Sequence, residues 1–196
     1  MTDLAAKFME KACLVSASVC CVPSLDAAFD KTMEICREKA PLDPQMGAKM
    51  LRDKQARIVA APNLEDKAFG VLSDKCLAQG NITLIREGLR EYPGGIDMGI
   101  SLVDFGIAET GTLVLDSASE ETRLSTMFSE SHVAILYCSK LRESALEMTE
   151  ELSRMVRDPG SYTAFITGAS RTADIERILA IGVHGPLELH ILLVED

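Results

Sequence analysis

Tryptophan is absent from the 196 residues and aromatic residues make up only 5% of them, so the core must be aliphatic. That composition suits α/β packing better than an aromatic-rich sandwich. No two of Cys13, Cys20, Cys21, Cys36, Cys76 and Cys138 stand in the C-x-x-C spacing of zinc sites, ferredoxin clusters or thioredoxin motifs, so an iron–sulfur cluster carried by this chain is not expected. Buried free thiols are the plain reading of Cys20-Cys21, with a redox or metal role as the alternative. No run approaches the roughly 20 apolar residues of a membrane span. Charged residues interrupt Leu4–Cys13, which excludes a signal-peptide core there and makes the cytoplasm the expected location. Positive charge is also scarce: 20 basic residues face 30 acidic ones, a formal net charge of −10, which argues against a nucleic-acid partner. Neither a G-x-G-x-x-G dinucleotide loop, nor a G-x-S-x-G nucleophile elbow, nor H-E-x-x-H occurs, and no metal site is expected.

Against these absences stands a regular alternation. Strand-like runs fall at Leu14–Val22, Arg57–Ala61, Ile82–Ile85, Phe105–Ala108, Thr112–Leu115, Val133–Cys138, Ala164–Thr167 and Leu187–Val194. Helical patterns fall at residues 1–13, Leu25–Glu38, Asp66–Ala78, Lys140–Val156 and Thr172–Ile181. Strands alternating with helices predict a mostly parallel sheet covered on both faces. The length suits one domain, 1–196, burying roughly 70% of the unfolded surface. Glu109-Thr110-Gly111 between two short runs predicts a tight antiparallel hairpin.

Two stretches carry candidate chemistry. In Phe165–Pro186 a strand is expected to run into a helix through Gly168 and Ser170, where free N–H groups, Ser170, Thr172 and the Arg171 guanidinium would hold an anion. Plain capping by Ser170, with Asp174 and Glu176 answering the helix dipole, is the alternative. In Asp104–Ser117 a carboxylate, two hydroxyls and a glycine share a turn: Glu109, Thr110, Gly111 and Thr112. Glu109 there acts as nucleophile or general base, or stays solvated on a hairpin that uses Gly111 for positive φ. Downstream, Arg123 and His132 flank a polar segment. Arg123 could grip a carboxylate or phosphate and His132 could titrate near neutral pH, although a histidine ahead of a strand is more often a structural hydrogen-bonder. His184, flanked by glycines, reads as an exposed loop residue, and His190 as a strand residue.

The blocks Asp104–Ser117, Ser131-His132-Val133-Ala134-Ile135, Thr167–Glu176 and Gly182-Val183-His184-Gly185-Pro186 together resemble the LUD-domain family of the lactate utilization protein C (LutC-like) type. The likeness is strongest over residues 97–194. The resemblance implies a NagB/RpiA/CoA-transferase-like α/β fold and a role in bacterial oxidation of L-lactate to pyruvate. It further implies an accessory subunit that binds a small anionic ligand and holds no cofactor itself, with the iron–sulfur clusters in partner subunits. Enzymes of related fold act on sugar phosphates and CoA esters, and Glu109 is similar to the glutamate that attacks the thioester in CoA transferases. A free-standing enzyme using Glu109 is therefore the alternative. The chain departs from the family pattern at Ser129-Glu130-Ser131, where prolines are usual.

Overall fold

The computed structural model describes residues 2–39, 56–92, 95–157, 159–172, 180–181 and 185–196, with the backbone alone at residues 171, 172, 180 and 181. Helix α1 (Asp3–Leu14) is capped by the Thr2 hydroxyl, which accepts from the Ala5 N–H. It buries Ala5, Phe8 and Ala12, the one-face spacing of an amphipathic helix. Ser16, at φ +67°, then turns the chain into β1 (Ala17–Val22), so the first residues of the expected strand instead close the helix. Helix α2 (Leu25–Glu38) is capped by Ser24, and β2 (Arg57–Ala60), α3 (Asp66–Gln79) and β3 (Ile82–Ile85) follow. Next come β4 (Ile96–Leu102), the hairpin strands β5 (Phe105–Ile107) and β6 (Thr112–Asp116), helix α4 (Glu120–Phe128) and β7 (Ser129–Tyr137). The remaining elements are β8 (Leu141–Arg142), α5 (Thr149–Met155), β9 (Thr163–Ile166), β10 (Arg171–Thr172), β11 (Ala180–Ile181) and β12 (Glu188–Val194).

Six strands form one parallel sheet in the order β1-β12-β7-β4-β2-β3. Both faces are covered, which is why β7 and β12 read as nearly unbroken apolar runs. On one face α2 and α3 bring Phe29, Met33, Leu72 and Cys76 against Met98, Ile100, Val133 and Ile135. On the other, α1 and a smaller sheet of order β8-β5-β6-β9 cover Ala134, Leu136, Ile191 and Leu193. Helix α4 lies on β4 and β7. The expected α/β class, the mostly parallel sheet and the Glu109–Gly111 hairpin are all present, the last as antiparallel β5 and β6.

Three local expectations differ. Ile96–Leu102, which is not among the expected strands, is a central strand, and α4 overlaps the polar segment between Arg123 and His132. The helix expected over Lys140–Val156 is shortened to α5, because β8 pairs with β5 and Ser144 is extended. The helix expected at Thr172–Ile181 is contradicted at both ends. Arg171 and Thr172 pair antiparallel with Ile181 and Ala180, and a continuous helix would hold those ends about 1.5 Å per residue apart. Residues 173–179 of that helix lie outside the described residues.

Two glycines let α1 dock. A Cβ on Gly111 (φ +64°) would lie 2.3 Å from the Ala12 nitrogen, and one on Gly168 (φ +75°) 2.0 Å from the Val15 carbonyl oxygen. Gly160 has φ +87° with open space around it, so it isolates backbone strain from overlap. In urea titrations Gly160→Ala should cost about 1 kcal/mol and Gly168→Ala about 1–3 kcal/mol more, the surplus being the displaced helix end. Equal losses would show that α1 is not seated on Gly168.

Candidate functional site

Because β1 begins two residues after the α1–β1 turn starts, the carboxyl end of α1 marks the amino edge of the parallel sheet. Gly111 and Gly168 both touch that end, so the hairpin tip and the loop after β9 meet there. Hydroxyls join them: Thr110 Oγ1 donates to Thr112 Oγ1 at 2.8 Å, and Thr112 Oγ1 and Thr167 Oγ1 share a hydrogen bond of 2.8 Å. Thr112 is buried while Thr110 is exposed. A third segment is tied in where the Ser170 N–H donates to the Pro186 carbonyl at 3.0 Å, just ahead of β12. Beside them, between the loop after β9, the turn before β12 and the end of α4, lies a hollow of about 400 Å³ lined by Met127, Phe165, Thr167, Gly168, Ser170 and Gly185, among others. Small-molecule sites fall in this size range.

Of the residues singled out in the sequence, the structure gathers Thr110, Gly111, Thr112, Gly168 and Ser170 at this edge, with Thr167 as the hydroxyl that links them. Thr167 opens the Thr167–Glu176 block just after β9, and the pairing of β9 with the hairpin strand β6, which brings Thr167 to Thr112, is what the sequence alone does not display. Glu109 is exposed on the hairpin, its N–H donating to the Glu143 carbonyl at 3.0 Å. The nearby Lys7 ammonium pairs with Glu143, and the two carboxylates Glu143 and Glu109 push the lysine pKa up, Glu143 chiefly by its hydrogen bond. Arg171 and Thr172 contribute backbone to β10, but their side chains, and all of His184, lie outside the described residues.

Two residues stand elsewhere. Arg123 donates to the Ala118 carbonyl at 2.8 Å and to that of Ser117, and its guanidinium lies 5.6 Å from the Tyr162 ring centroid. It clamps the turn between β6 and α4, toward the carboxyl edge, where the Asp116 N–H donates to Asp104. His132 is 1% exposed, in register between Gly99 and Leu189, with a 2.7 Å hydrogen bond between its Nε2 and Ser101 Oγ. Burial, reinforced by electrostatic repulsion from His190, pushes its pKa down to about 4. A side chain expected to titrate near neutral pH is thus a neutral core hydrogen-bonder, because desolvation penalises the imidazolium.

Comparison with known proteins places this geometry in context. A family model described as the LUD domain matches residues 5–194. The chain is 29% identical over 163 residues to a lactate utilization protein C from Exiguobacterium sp., spanning 81% of this chain and 70% of that protein. It is 37% identical over 114 residues to a protein of the same name from Halalkalibacterium halodurans, spanning 56% and 49% respectively. Against several such relatives the matched part is about half of their length. The crystal structure of a DUF162 family protein from Deinococcus radiodurans aligns with a TM-score of 0.64 over 98% of this chain and 96% of that one, at 15% identity. That likeness shows a common fold. Among the described residues no helix is long and apolar enough to cross a membrane.

The buried histidine generates a pH dependence of definite sign. Its folded pKa is about 4 against an ordinary 6.5, so the unfolded chain binds the proton more readily and stability is lost as pH falls through that window. The stability gap between wild type and His132→Gln should shrink by about 2 kcal/mol between pH 7 and about pH 4.5, read from urea titrations at each pH. A gap that stays constant would mean that His132 takes up its proton as readily in the fold as in the unfolded chain.

Proposed function

We propose that this chain, which belongs to the LUD-domain family, acts in lactate utilization as an accessory subunit of a bacterial system that oxidises L-lactate to pyruvate. In this reading it holds a small anionic ligand at the amino edge and works beside partner subunits that carry the iron–sulfur clusters. The relatives named lactate utilization protein C support the pathway. The observation that carries the ligand site is the roughly 400 Å³ hollow where the end of α4, the loop after β9 and the turn before β12 converge, the last two joined by the Ser170–Pro186 hydrogen bond and the hairpin tied alongside by Thr112–Thr167. The hydroxyls of Thr110, Thr112 and Thr167 and the loop at Gly168 and Ser170 would meet the anion, with Arg171 and His184 completing the site. His132 supports the strand beneath and Arg123 shapes the α4 turn. Chemistry through Glu109 alone is the weaker reading, because an exposed carboxylate lacks the burial that activates a nucleophile.

The test compares two preparations for L-lactate-dependent reduction of an artificial electron acceptor. One is the chain purified alone and the other is the chain drawn from its native cells with whatever co-elutes. Activity confined to the co-eluting sample is the expected result. Turnover by the isolated chain would make it an enzyme in its own right, and silence in both samples would overturn the lactate assignment.

A further inference from the structure

At the edge opposite the hairpin tip lies a cleft of about 530 Å³, lined by Asn63, Asp104, Ser119, Thr122, Tyr137 and Lys140, among others. Ser119 also borders an adjoining hollow of about 530 Å³ that reaches Arg86 and Glu121. The topology explains its position. From β2 the chain passes through α3 to β3 on one side, whereas from β4 it returns through α4 to β7 on the other. Helices α3 and α4 consequently lie on opposite faces, and the loops leaving the adjacent strands β2 and β4 diverge. Ligands of open α/β sheets bind in such a crevice, outside the carboxyl ends of the strands where the order reverses.

The side chains there are arranged to receive something. Asn63 is bound at both ends of its amide to the Leu102 backbone, donating at 2.8 Å and accepting at 3.1 Å, which fixes the loop after β2 to the end of β4. Helix α4 opens its first turn into the cleft, and its N-cap Ser119 makes no side-chain capping bond. Thr122 is only 2% exposed. Its carbonyl accepts from Ser125 and Thr126, whereas among the described residues its hydroxyl forms no hydrogen bond and Thr122 borders the cleft, so the hydroxyl is available to a ligand there. The acids that would repel an anion at this helix end are drawn aside, Glu120 to Arg90 and Glu121 to the Leu89 N–H at 3.0 Å. Lys140 supplies a cation on the cleft wall, 5.6 Å from the Phe105 ring centroid. Asp104 uses one carboxylate oxygen to accept from the Asp116 N–H at 2.7 Å.

We propose that this cleft is a second ligand site, for a small hydroxylated anion. Its phosphate or carboxylate is held by the first turn of α4, the Thr122 hydroxyl and Lys140, and a ligand hydroxyl donates to Asp104. The two acids on the wall, Asp104 and Asp116, disfavour a bare anion and favour one that brings hydroxyl donors with it. The proposal does not depend on the lactate reading, since it concerns the other edge of the sheet and is measured on the chain alone.

Calorimetric titration of the full chain with glycerol 3-phosphate, inorganic phosphate, L-lactate and propionate tests it. Each hydroxylated anion is paired with a counterpart lacking its alcohol hydroxyls, which also separates a phosphate ligand from a carboxylate one. Saturable binding is expected for glycerol 3-phosphate or L-lactate, about tenfold or more tighter than for its partner. Lys140→Gln and Thr122→Val should each weaken it by about tenfold, as loss of a charged or buried hydrogen bond does. Because the Thr122 hydroxyl forms no hydrogen bond among the described residues, Thr122→Val should leave the thermal melt unchanged. Absence of saturable binding by all four probes, equal affinity within each pair, or wild-type affinity in both variants would overturn the proposal.

Discussion

Helix α1 reaches the rest of the protein through its carboxyl end, and that contact exists only because two residues present no side chain there. Gly111 ends the hairpin turn and Gly168 opens the loop after β9, and both are pressed on by the backbone of residues 11–15. Small residues on the helix extend the close approach, since Ala5 and Ala12 are fully buried beside Phe8. Burying Phe8 contributes about 1.5–3 kcal/mol, so the seat is held mainly by apolar contact. The exposed Lys7–Glu143 pair adds little, as solvated ion pairs generally do. One docking event therefore fixes both loops, and with them the distance across which Thr112 and Thr167 bond.

Beneath that edge the sheet tolerates polar groups in places where hydrocarbon would be expected. Asp97 is 4% exposed and accepts from the Ile58 N–H at 2.6 Å, and Ser101 is fully buried against His132. Ser131, also fully buried, donates to Glu188 at 2.9 Å. Each is partnered, which is the condition for burying polar atoms without a penalty of about 1–3 kcal/mol per group. Together they set β4 and β12 against β7 in one register: a slip by one residue would separate Ser101 from His132 and Ser131 from Glu188 at once, and would turn every side chain to the other face.

The same polar residues limited what could be read from the sequence. The alternation Ile96, Met98, Ile100, Leu102 is a strand pattern, but Asp97, Gly99 and Ser101 between them imitate a loop. Each has a task that only the assembled sheet supplies: Asp97 bonds the neighbouring strand, Gly99 admits the α4 backbone at Ser125 and Ser101 meets His132. Helix α4 was hidden for a related reason. Its buried face consists of Thr122, Ser125 and Thr126, which show no apolar stripe because Ser125 and Thr126 donate back to their own helix carbonyls. The hairpin, the flanking strands and helices α2 and α3 were legible, because their turn residues and apolar periods agree with the fold. At the candidate site, residue types were legible and mutual placement was not. Nothing local tells that Arg123 faces the Ser117 and Ala118 carbonyls, or that the Gly168 loop meets the hairpin through Thr167.

The two edges of the sheet differ in how they are built, and this difference governs what each can do. The amino-edge hollow is assembled from segments distant in sequence, namely the end of β9 with the loop after it, the turn before β12 and the end of α4, and the hairpin is tied to it from outside through the Thr112–Thr167 bond. The end of α1 bears on the hairpin and on the loop after β9. The shape of the hollow therefore depends on several docking contacts and can respond when any one of them shifts. The carboxyl-edge cleft is lined by residues at or just beyond strand ends and by the first turn of α4, and Asn63 locks the loop after β2 to β4. Rigid elements hold side chains to tighter tolerances than free loops do. A ligand bound at the carboxyl edge would meet a preformed wall, whereas one bound at the amino edge would contribute to closing its own site. Helix α4 spans the two, with Ser119 and Thr122 lining the cleft and Met127 lining the hollow. Any tilt of that helix must alter both sites together.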